Sequence, residues 1–463
     1  MFPKKIIFTL GLIPSLALAG WGQADKVFNS NSRNKVRDLV IELVDGGYYY
    51  SAMPLMKEYL ASQRSSLDLS MEKALSKIIA TVGIKQFETL PDRYLNLSNS
   101  HNIKYISAKK LMREQKNGEA IRLLKSISRN HPIFPYAQNM LATLYSAEKN
   151  YASASVAFND CVSVSNARIN NNSSERLKLN RDYCLAGLAR NKFGEGSYNE
   201  SDLLYLDLPK SSPVWPELLF EEAWNSYYQG NYNRSLGKLV TYKAPVFDHI
   251  FNPEIDVLNA LTYLKLCLYQ DAKQISDKFY DQYYRDAKDL RNYLLRYKSN
   301  YEYYYDLVSK YEQTKYAPTD LMKTLFKSVS REQVYLDIKS QIKGAVIEYR
   351  KIKRQRDDRF KRFVIQNLQE AIESHKKILG SFIRSKLVSH YAELYRAFEG
   401  MSYIKLEVLA QKKALLYSFD KKERSRGDIK YIQRNEKQYF WNFNGEFWAD
   451  ELGDYVFALK SEC

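Results

Sequence analysis

Cysteine is scarce. The 463 residues hold four, Cys161, Cys184, Cys267 and Cys463, with no Cys-x-x-Cys among them, a pattern that points to disulfides rather than to metal ligands or redox chemistry. Histidine is nearly as rare: His101, His131, His249, His375 and His390 are scattered singly, without His-Glu-x-x-His or a His/Cys cluster at metal spacing, so a zinc site has no ligand set. With 18 Gly and 12 Pro, the composition excludes a loop-rich sandwich and a collagen-like chain. There is no Gly-x-Ser-x-Gly and no phosphate-cradling Gly-x-x-x-x-Gly-Lys, and Gly194-Glu-Gly196 lacks the third glycine and the preceding strand of a dinucleotide site. Ser70-Met-Glu-Lys73 and Ser374-His-Lys-Lys377 match Ser-x-x-Lys without its companion motifs. The Gly-Leu-Met-Gln signature of soluble lytic transglycosylases, which also wrap an α-solenoid, is absent, and their catalytic Glu-Ser dipeptide occurs as Glu200-Ser201 and Glu373-Ser374 without it. No cofactor is expected, and an enzyme survives only as a carboxylate pair that needs no motif. Acids are the minority charge, 53 against 70 Lys plus Arg, which leaves +17.

What is present is a chain of 45% hydrophobic and 14% aromatic residues with 38 Tyr, long enough for roughly three average domains and expected to be helical and basic. Met1-Phe-Pro-Lys-Lys5 precedes the apolar run Ile6 to Ala19, which closes on Ala17-Leu18-Ala19 before Gly20. A charged start, a short apolar stretch and an Ala-x-Ala site form a secretion signal over residues 1–19, cleaved after Ala19. The run contains Pro14 and is shorter than the roughly 20 apolar residues of a membrane span. No cysteine follows it closely enough for lipid attachment, and no later segment is apolar enough to span. The mature protein is therefore expected to be soluble and exported, in the periplasm or at the periplasmic face of the envelope.

A period runs through the first half. Ala108 and Ala120, Ala142 and Ala154, Ala189 and Ser201, Ala223 and Ser235, and Ala260 and Ala272 are pairs of small residues twelve apart, the pairs themselves spaced by 34, 47, 34 and 37 residues. Extending backwards by 34 reaches Ala74 with Gln86, then Val40 with Ala52, giving seven copies of which the first two are degenerate. A small residue on each of two antiparallel helices lets their axes approach to roughly 8–10 Å. Between the members of a pair lie turns such as Asp45-Gly-Gly-Tyr-Tyr49, Lys116-Asn-Gly118, Gly196-Ser-Tyr-Asn199 and Gln229-Gly-Asn-Tyr232, each a helix stop followed by a restart. Pro132 and Pro213 stand where one hairpin hands over to the next.

On these residues residues 33–286 resemble the tetratricopeptide repeat (TPR), a 34-residue unit with small residues at its eighth and twentieth positions, large residues between them and a proline near its end. Tyr145, Phe158, Pro132 and Pro213 match its large-residue and proline positions; no Trp occupies the fourth position, and Asn166 replaces Pro in the fourth copy. The resemblance implies an all-α fold, a right-handed TPR-like α-solenoid, whose concave face takes an extended peptide or helix on the first helix of each hairpin. The exposed groove candidates on that frame are Tyr136, Asn139, Trp215, Glu222, Asn225 and Asn259. A narrower resemblance rests on Pro213-Val-Trp-Pro-Glu-Leu-Leu-Phe-Glu-Glu-Ala-Trp-Asn-Ser-Tyr-Tyr-Gln-Gly-Asn-Tyr232, Phe251-Asn-Pro-Glu254, Cys267-Leu-Tyr269 and Trp441-Asn-Phe-Asn-Gly-Glu-Phe-Trp-Ala-Asp-Glu-Leu452. It is similar to exported TPR proteins of myxobacteria and predatory relatives, some associated with envelope machines for gliding motility, and implies an envelope scaffold.

Four cysteines allow three pairings. In the repeat frame Cys161 and Cys184 flank the 13-residue insertion on adjacent antiparallel helices, so they are expected to bond and to staple the polar loop Asn170-Asn-Asn-Ser-Ser174; by elimination Cys267 would pair with Cys463 and tie down the tail.

After Pro318 there is no further proline, and heptad-like spacing in Ile338, Ile342, Ala345, Tyr349 and Ile352, and again in Leu387, Tyr391, Leu394, Phe398 and Met401, predicts long helices folded back on the solenoid. Residues 287–437 are expected as a basic long-helix region and 438–463 as an acidic aromatic tail packed on the helices. Residues 285–437 hold 35 Lys plus Arg against 20 acids, whereas the last 26 residues hold one Lys against five. The densest run, 350–362, carries eight basic residues including Arg350, Lys351, Lys353, Arg354, Arg356 and Arg359, read either as a solvated helix face or as a basic helix for an anionic surface. Tyr439, Phe440, Trp441, Phe443, Phe447 and Trp448 are expected to plug the open end of the stack, and the Tyr clusters Tyr48–Tyr50, Tyr227–Tyr228 and Tyr303–Tyr305 to pack rather than to stack sugars. The function implied is a non-enzymatic envelope scaffold or adaptor binding another envelope protein through a TPR groove; the alternative is a module for peptidoglycan or anionic lipid. Nucleic acid is not expected as a partner of an exported chain.

Overall fold

The small residues that mark the period meet in space. A computed structural model of the chain describes residues 14–170, 175–415 and 429–463, and it is all-α: TPR-like helix hairpins form an α-solenoid, followed by long helices. Helix α1 (Pro14–Asn29) leads into the hairpin α2 (Lys35–Asp45) and α3 (Tyr49–Ser62). Next come α4 (Leu69–Val82), a 3-10 turn and the one-turn α5 (Asp92–Leu95). Five further hairpins follow: α6 (His101–Arg113) with α7 (Asn117–Lys125), α8 (Phe134–Ala147) with α9 (Tyr151–Arg168), α10 (Glu175–Gly194) with α11 (Tyr198–Tyr205), α12 (Trp215–Tyr228) with α13 (Tyr232–Val240), and α14 (Glu254–Lys265) with α15 (Tyr269–Tyr297). Then come α16 (Tyr301–Thr314), α17 (Asp320–Val329), α18 (Gln333–Lys353) and α19 (Arg359–Leu415), and a two-residue parallel pair, β1 (Trp441–Asn442) and β2 (Tyr455–Val456).

Each of the six full hairpins buries both of its small residues completely, from Val40 and Ala52 to Ala260 and Ala272. Across α10 and α11 the approach is close enough for the Ser201 hydroxyl to donate to the Ala189 carbonyl at 2.9 Å. Every one of these hairpins turns on a single residue at positive φ: Gly47, Gln115, Lys149, Gly196, Gly230 or Cys267. The three that are not glycine carry a cost of roughly 1–2 kcal/mol each. The second copy differs. Gln86, buried where the frame puts a small residue, ends the 3-10 turn that follows α4 in place of a second full helix; its side-chain carbonyl accepts from Lys57 and Ser374. The insertion mostly lengthens helices, to 18 residues in α9 and 20 in α10. The expected signal residues 1–13 and the loop residues 171–174 lie outside the described residues. No described helix is long and apolar enough to cross a membrane.

The chain divides into two compact units. One comprises the described residues through His131 together with Val334–Gly380; the other comprises Pro132–Gln333 with Ser381–Cys463. The residues expected as a separate basic region are thus shared between the units, and the boundary expected at 286 lies inside α15.

In the first unit, the heptad face of α18 packs on α2 and α3. The N-cap of α3, Tyr48, offers no capping side chain; Glu348 of α18 supplies the acceptor, taking the Tyr50 N–H at 3.1 Å, the Ser51 N–H at 2.8 Å and the Ser51 hydroxyl at 2.6 Å. Helix α1 runs across the expected cleavage site, and its Trp21 is buried against Tyr48 and Phe360, with ring centroids 5.2 and 4.7 Å away. Further along, buried Glu88 faces Lys109, Lys85 and Arg113. Burial alone would raise its carboxyl, but the charges of Lys109 and Lys85 and the hydrogen bonds from Lys109 and Arg113 outweigh this and hold it down at about 2. Because the folded value lies below the unfolded one, its stabilisation is complete above pH ~4.5 and is lost as the pH falls towards 2. In denaturant titrations, Glu88→Gln is expected to remove about 2 kcal/mol of the stability that the wild type loses between pH 7 and pH 3; an unchanged pH dependence would refute this ion cluster.

In the second unit two ion pairs are buried, Arg234 of α13 bidentate to Asp202 of the preceding hairpin at 2.8 and 2.9 Å, and Lys238 with Glu222 inside the α12–α13 hairpin. The C-terminal segment lies across α12 and α13. Asn233 pins it: its carbonyl accepts from Phe457 N, its side-chain oxygen from Leu459 N, and its amide donates to the Leu459 carbonyl. Phe447 and Leu452 pack with Trp215 and Leu219. The expected plug at the open end is therefore corrected: the tail covers α12 and α13, and α14 and α15 follow them in the stack. Phe443 and Phe447 are drawn in against Tyr455, while Tyr439, Trp441 and Trp448 stay exposed. Both disulfides are the expected ones, Cys161–Cys184 with Cα atoms 6.3 Å apart and Cys267–Cys463 at 5.2 Å.

Candidate functional site

The first helices of two successive hairpins in the second unit, α8 and α10, border an open groove of about 410 Å³. Asn139, Thr143 and Ser146 line it from α8, Tyr183, Gly187, Arg190, Asn191 and Gly194 from α10, and Tyr151 and Phe158 of α9 complete it. The floor exists because of the glycines. A Cβ on Gly187 would stand 2.3 Å from the Phe158 ring, and one on Gly194 would stand 2.8 Å from the Tyr151 hydroxyl, so the two rings occupy space that any other residue would fill. Helix propensity favours Gly187→Ala by about 1 kcal/mol, yet displacing a packed ring costs about 1–3 kcal/mol. The variant is expected to melt lower than wild type; a higher melting temperature would show that Phe158 does not need the space.

The walls are polar and ordered. Asn139 donates to Asn180 at 3.0 Å, the Ser146 hydroxyl donates to Asn191 at 2.6 Å, and Asn191 donates on to Ser155 at 3.2 Å. Arg190 grips Glu221 with two nitrogens at 2.6 to 3.1 Å, Tyr205 donates to the same carboxylate at 3.1 Å, and Tyr183 donates to Glu217 at 3.0 Å. Burial and the neighbouring Glu217 carboxylate raise the Tyr183 phenol, so it stays a donor at neutral pH. Such a wall presents fixed donors and acceptors at the spacing of helix turns, chemistry suited to a peptide backbone. Among the described residues no group of three His, Cys, Asp or Glu is placed to hold a metal ion.

Of the residues expected in the groove, Asn139 lines it, and Tyr136 lies half-buried on α8, three residues before Asn139. Three others are corrected. Trp215 is buried under the tail, Glu222 is buried with Lys238, and Asn225 is fully buried with its amide on the Tyr198 carbonyl. Counting from the small residue shows the physical reason. Glu222 and Asn225 sit one before and two after Ala223 and turn inward with it, whereas Glu217 and Glu221, six and two before it, meet Tyr183 and Arg190. Asn259 is half-buried on α14 and does not line the groove. Tyr183 was legible, since it precedes Ala189 by the same six residues by which Tyr136 precedes Ala142. Arg190, Asn191 and the glycines carried no such signal.

The basic run is corrected too. It is not one helix: α18 ends at Lys353 and α19 starts at Arg359. Lys351 turns inward, donating to the Gly46 carbonyl at 2.8 Å over the Tyr48 ring at 3.8 Å. The Tyr clusters pack on one another, Tyr198 stacked on Tyr228 at 5.5 Å and Tyr297 on Tyr303 at 3.8 Å.

No protein-family model matches the chain, and none of the curated proteins compared with it matches. Among solved structures it is similar to the Rap conjugation gene regulator of the plasmid pLS20, in complex with the Phr* peptide, at 10% identity and a TM-score of 0.33, over 78% of this chain and 96% of that one. The superposition is too loose to bring a function across.

Proposed function

We propose that the chain is a non-enzymatic adaptor that holds an extended segment of another protein in the groove between α8 and α10. The observation that carries this reading is the row of ordered side-chain donors and acceptors, Asn139, Ser146, Tyr183 and Arg190, facing an open groove from first helices of adjacent hairpins, with buried Asn191 behind Ser146 holding its hydroxyl in place. The signal-like first 19 residues and two disulfides support an exported site of action. The partner is then another envelope protein. A place in a motility or envelope-assembly machine rests on the resemblance of residues 213–284 and 441–452 alone.

The test is in-cell photo-crosslinking from Thr143, which is exposed in the groove, beside Val156, exposed on α9. One discrete polypeptide trapped from position 143 and not from position 156, and lost on Tyr183→Ala, is the expected result. Identical products from both positions would sink the groove reading.

A further inference from the structure

The run 350–362 lies in the other unit and is untouched by the groove reading. Its eight bases and two acids sort by what they hold. Lys351 is spent on Gly46 and Tyr48. Lys361 closes the turn by donating its ammonium to the carbonyls of Lys353 at 3.1 Å and Gln355 at 2.9 Å, while Asp358 caps α19, accepting from the Lys361 N–H at 2.7 Å. That leaves Arg350, Lys353, Arg354, Arg356, Arg359 and Arg362, all exposed. Among the described residues none of these six makes an ion pair. Asp357 is the one acid of the run not used in the turn. The α1–α2 corner adds to the cluster, since Lys35 at the start of α2 and Arg359 both lie on the Phe28 ring, at 5.0 and 6.0 Å, and exposed Arg33 in the loop is two residues from Lys35.

Six cations without an ion-pair partner around one locked turn repel one another, and apart from the Arg359 contact on Phe28 no packing role is served by their charge. We infer that this turn is a docking surface for a bilayer containing anionic phospholipid. The geometry disfavours the other anions. A site for one phosphate needs buried, converging donors, and these side chains are exposed. Single-stranded nucleic acid needs exposed rings to stack on, whereas in this run the one ring, Phe360, is buried. Duplex reading by a helix is foreclosed by the break at 354–358. What remains is attraction to an extended negative plane, and a chain that crosses a membrane on the signal read in residues 1–19 emerges beside such a plane.

Each cation near an anionic leaflet contributes about fivefold in partitioning. Sedimentation of the full chain with vesicles of phosphatidylcholine plus phosphatidylglycerol is expected to show binding that pure phosphatidylcholine does not support. It should fall steeply as salt rises from about 0.05 to about 0.5 M. The variant K353Q/R354Q/R356Q should bind about 100-fold more weakly with an unchanged melting temperature, while R354K/R356K, which keeps the charge, should bind as wild type. Equal binding to both vesicle types, wild-type binding by the glutamine variant, loss of binding in the lysine variant, or tighter binding to duplex or single-stranded DNA at the same salt would each overturn the proposal.

Discussion

Gly237→Val is expected to expel the C-terminal segment from α12 and α13. Gly237 is on α13 directly beneath β2, and a Cβ there would lie 1.7 Å from the Tyr455 carbonyl oxygen and 2.3 Å from its carbon. These are backbone atoms, so no rotamer change relieves the overlap and the strand itself has to leave. With it go the buried Tyr455 and Val456, the Phe447 and Leu452 contacts on Trp215, and the Gln438 hydrogen bond to Asp202. Overpacking against a fixed backbone and loss of this cover together cost about 3 kcal/mol or more. The variant should show a lowered melting temperature, trypsin cleavage at Lys437 and Lys460, and altered tryptophan fluorescence, since Trp441, Trp448 and Trp215 all report on the tail. An unchanged cleavage pattern would mean that the tail is not seated on this helix.

Loss of the Cys267–Cys463 bond is expected to be the most costly covalent change. The two residues are 196 apart in sequence, and in the loop-entropy model a cross-link closing so long a loop is worth roughly 5 kcal/mol, against about 3 kcal/mol for the 23-residue separation of Cys161 and Cys184. The bond also sits where the tail ends: Glu462 N donates to the Leu266 carbonyl at 2.9 Å, and Phe457 and Leu459 pack with Leu236, Leu266 and Leu268. Cys463→Ser should therefore lower the free energy of unfolding by more than Cys184→Ser does. It should also free the tail to proteases without unfolding the hairpins, so helical circular dichroism at room temperature is retained. The reverse ranking of the two variants would contradict the assignment of the tail as a long-range staple.

The hairpins were legible because helix crossing selects small residues at fixed spacing, and that signal survives where sequence otherwise drifts. Gln86 announced its own exception, and the one copy without a full second helix is the one it belongs to. The tail was legible as acidic, aromatic and tied by Cys463, but its seat was not, because the feature that admits it is a single helical glycine at position 237. Glycine inside a helix pattern signals close approach without naming what approaches. The break in the basic run had a sign in the sequence: Asp358 three residues before Lys361 is an N-cap at the start of a helix, although an unbroken basic series without Gly or Pro reads as one helix. The groove candidates on α12 failed through phase. One before or two after the small position a side chain turns into the hairpin interface, as Glu222 and Asn225 do, whereas six or two before it Glu217 and Glu221 reach the neighbouring first helix.

Selection of random peptides on the immobilised full chain, followed by titration of the recovered peptides against wild type, Asn139→Ala and K353Q/R354Q/R356Q, tests the groove assignment. Peptides are expected that bind in extended form, that lose affinity by about tenfold or more when the half-buried Asn139 side chain is removed from the groove wall, and that are indifferent to the basic turn. Peptides that bind Asn139→Ala as tightly as wild type would contradict the assignment of the groove between α8 and α10.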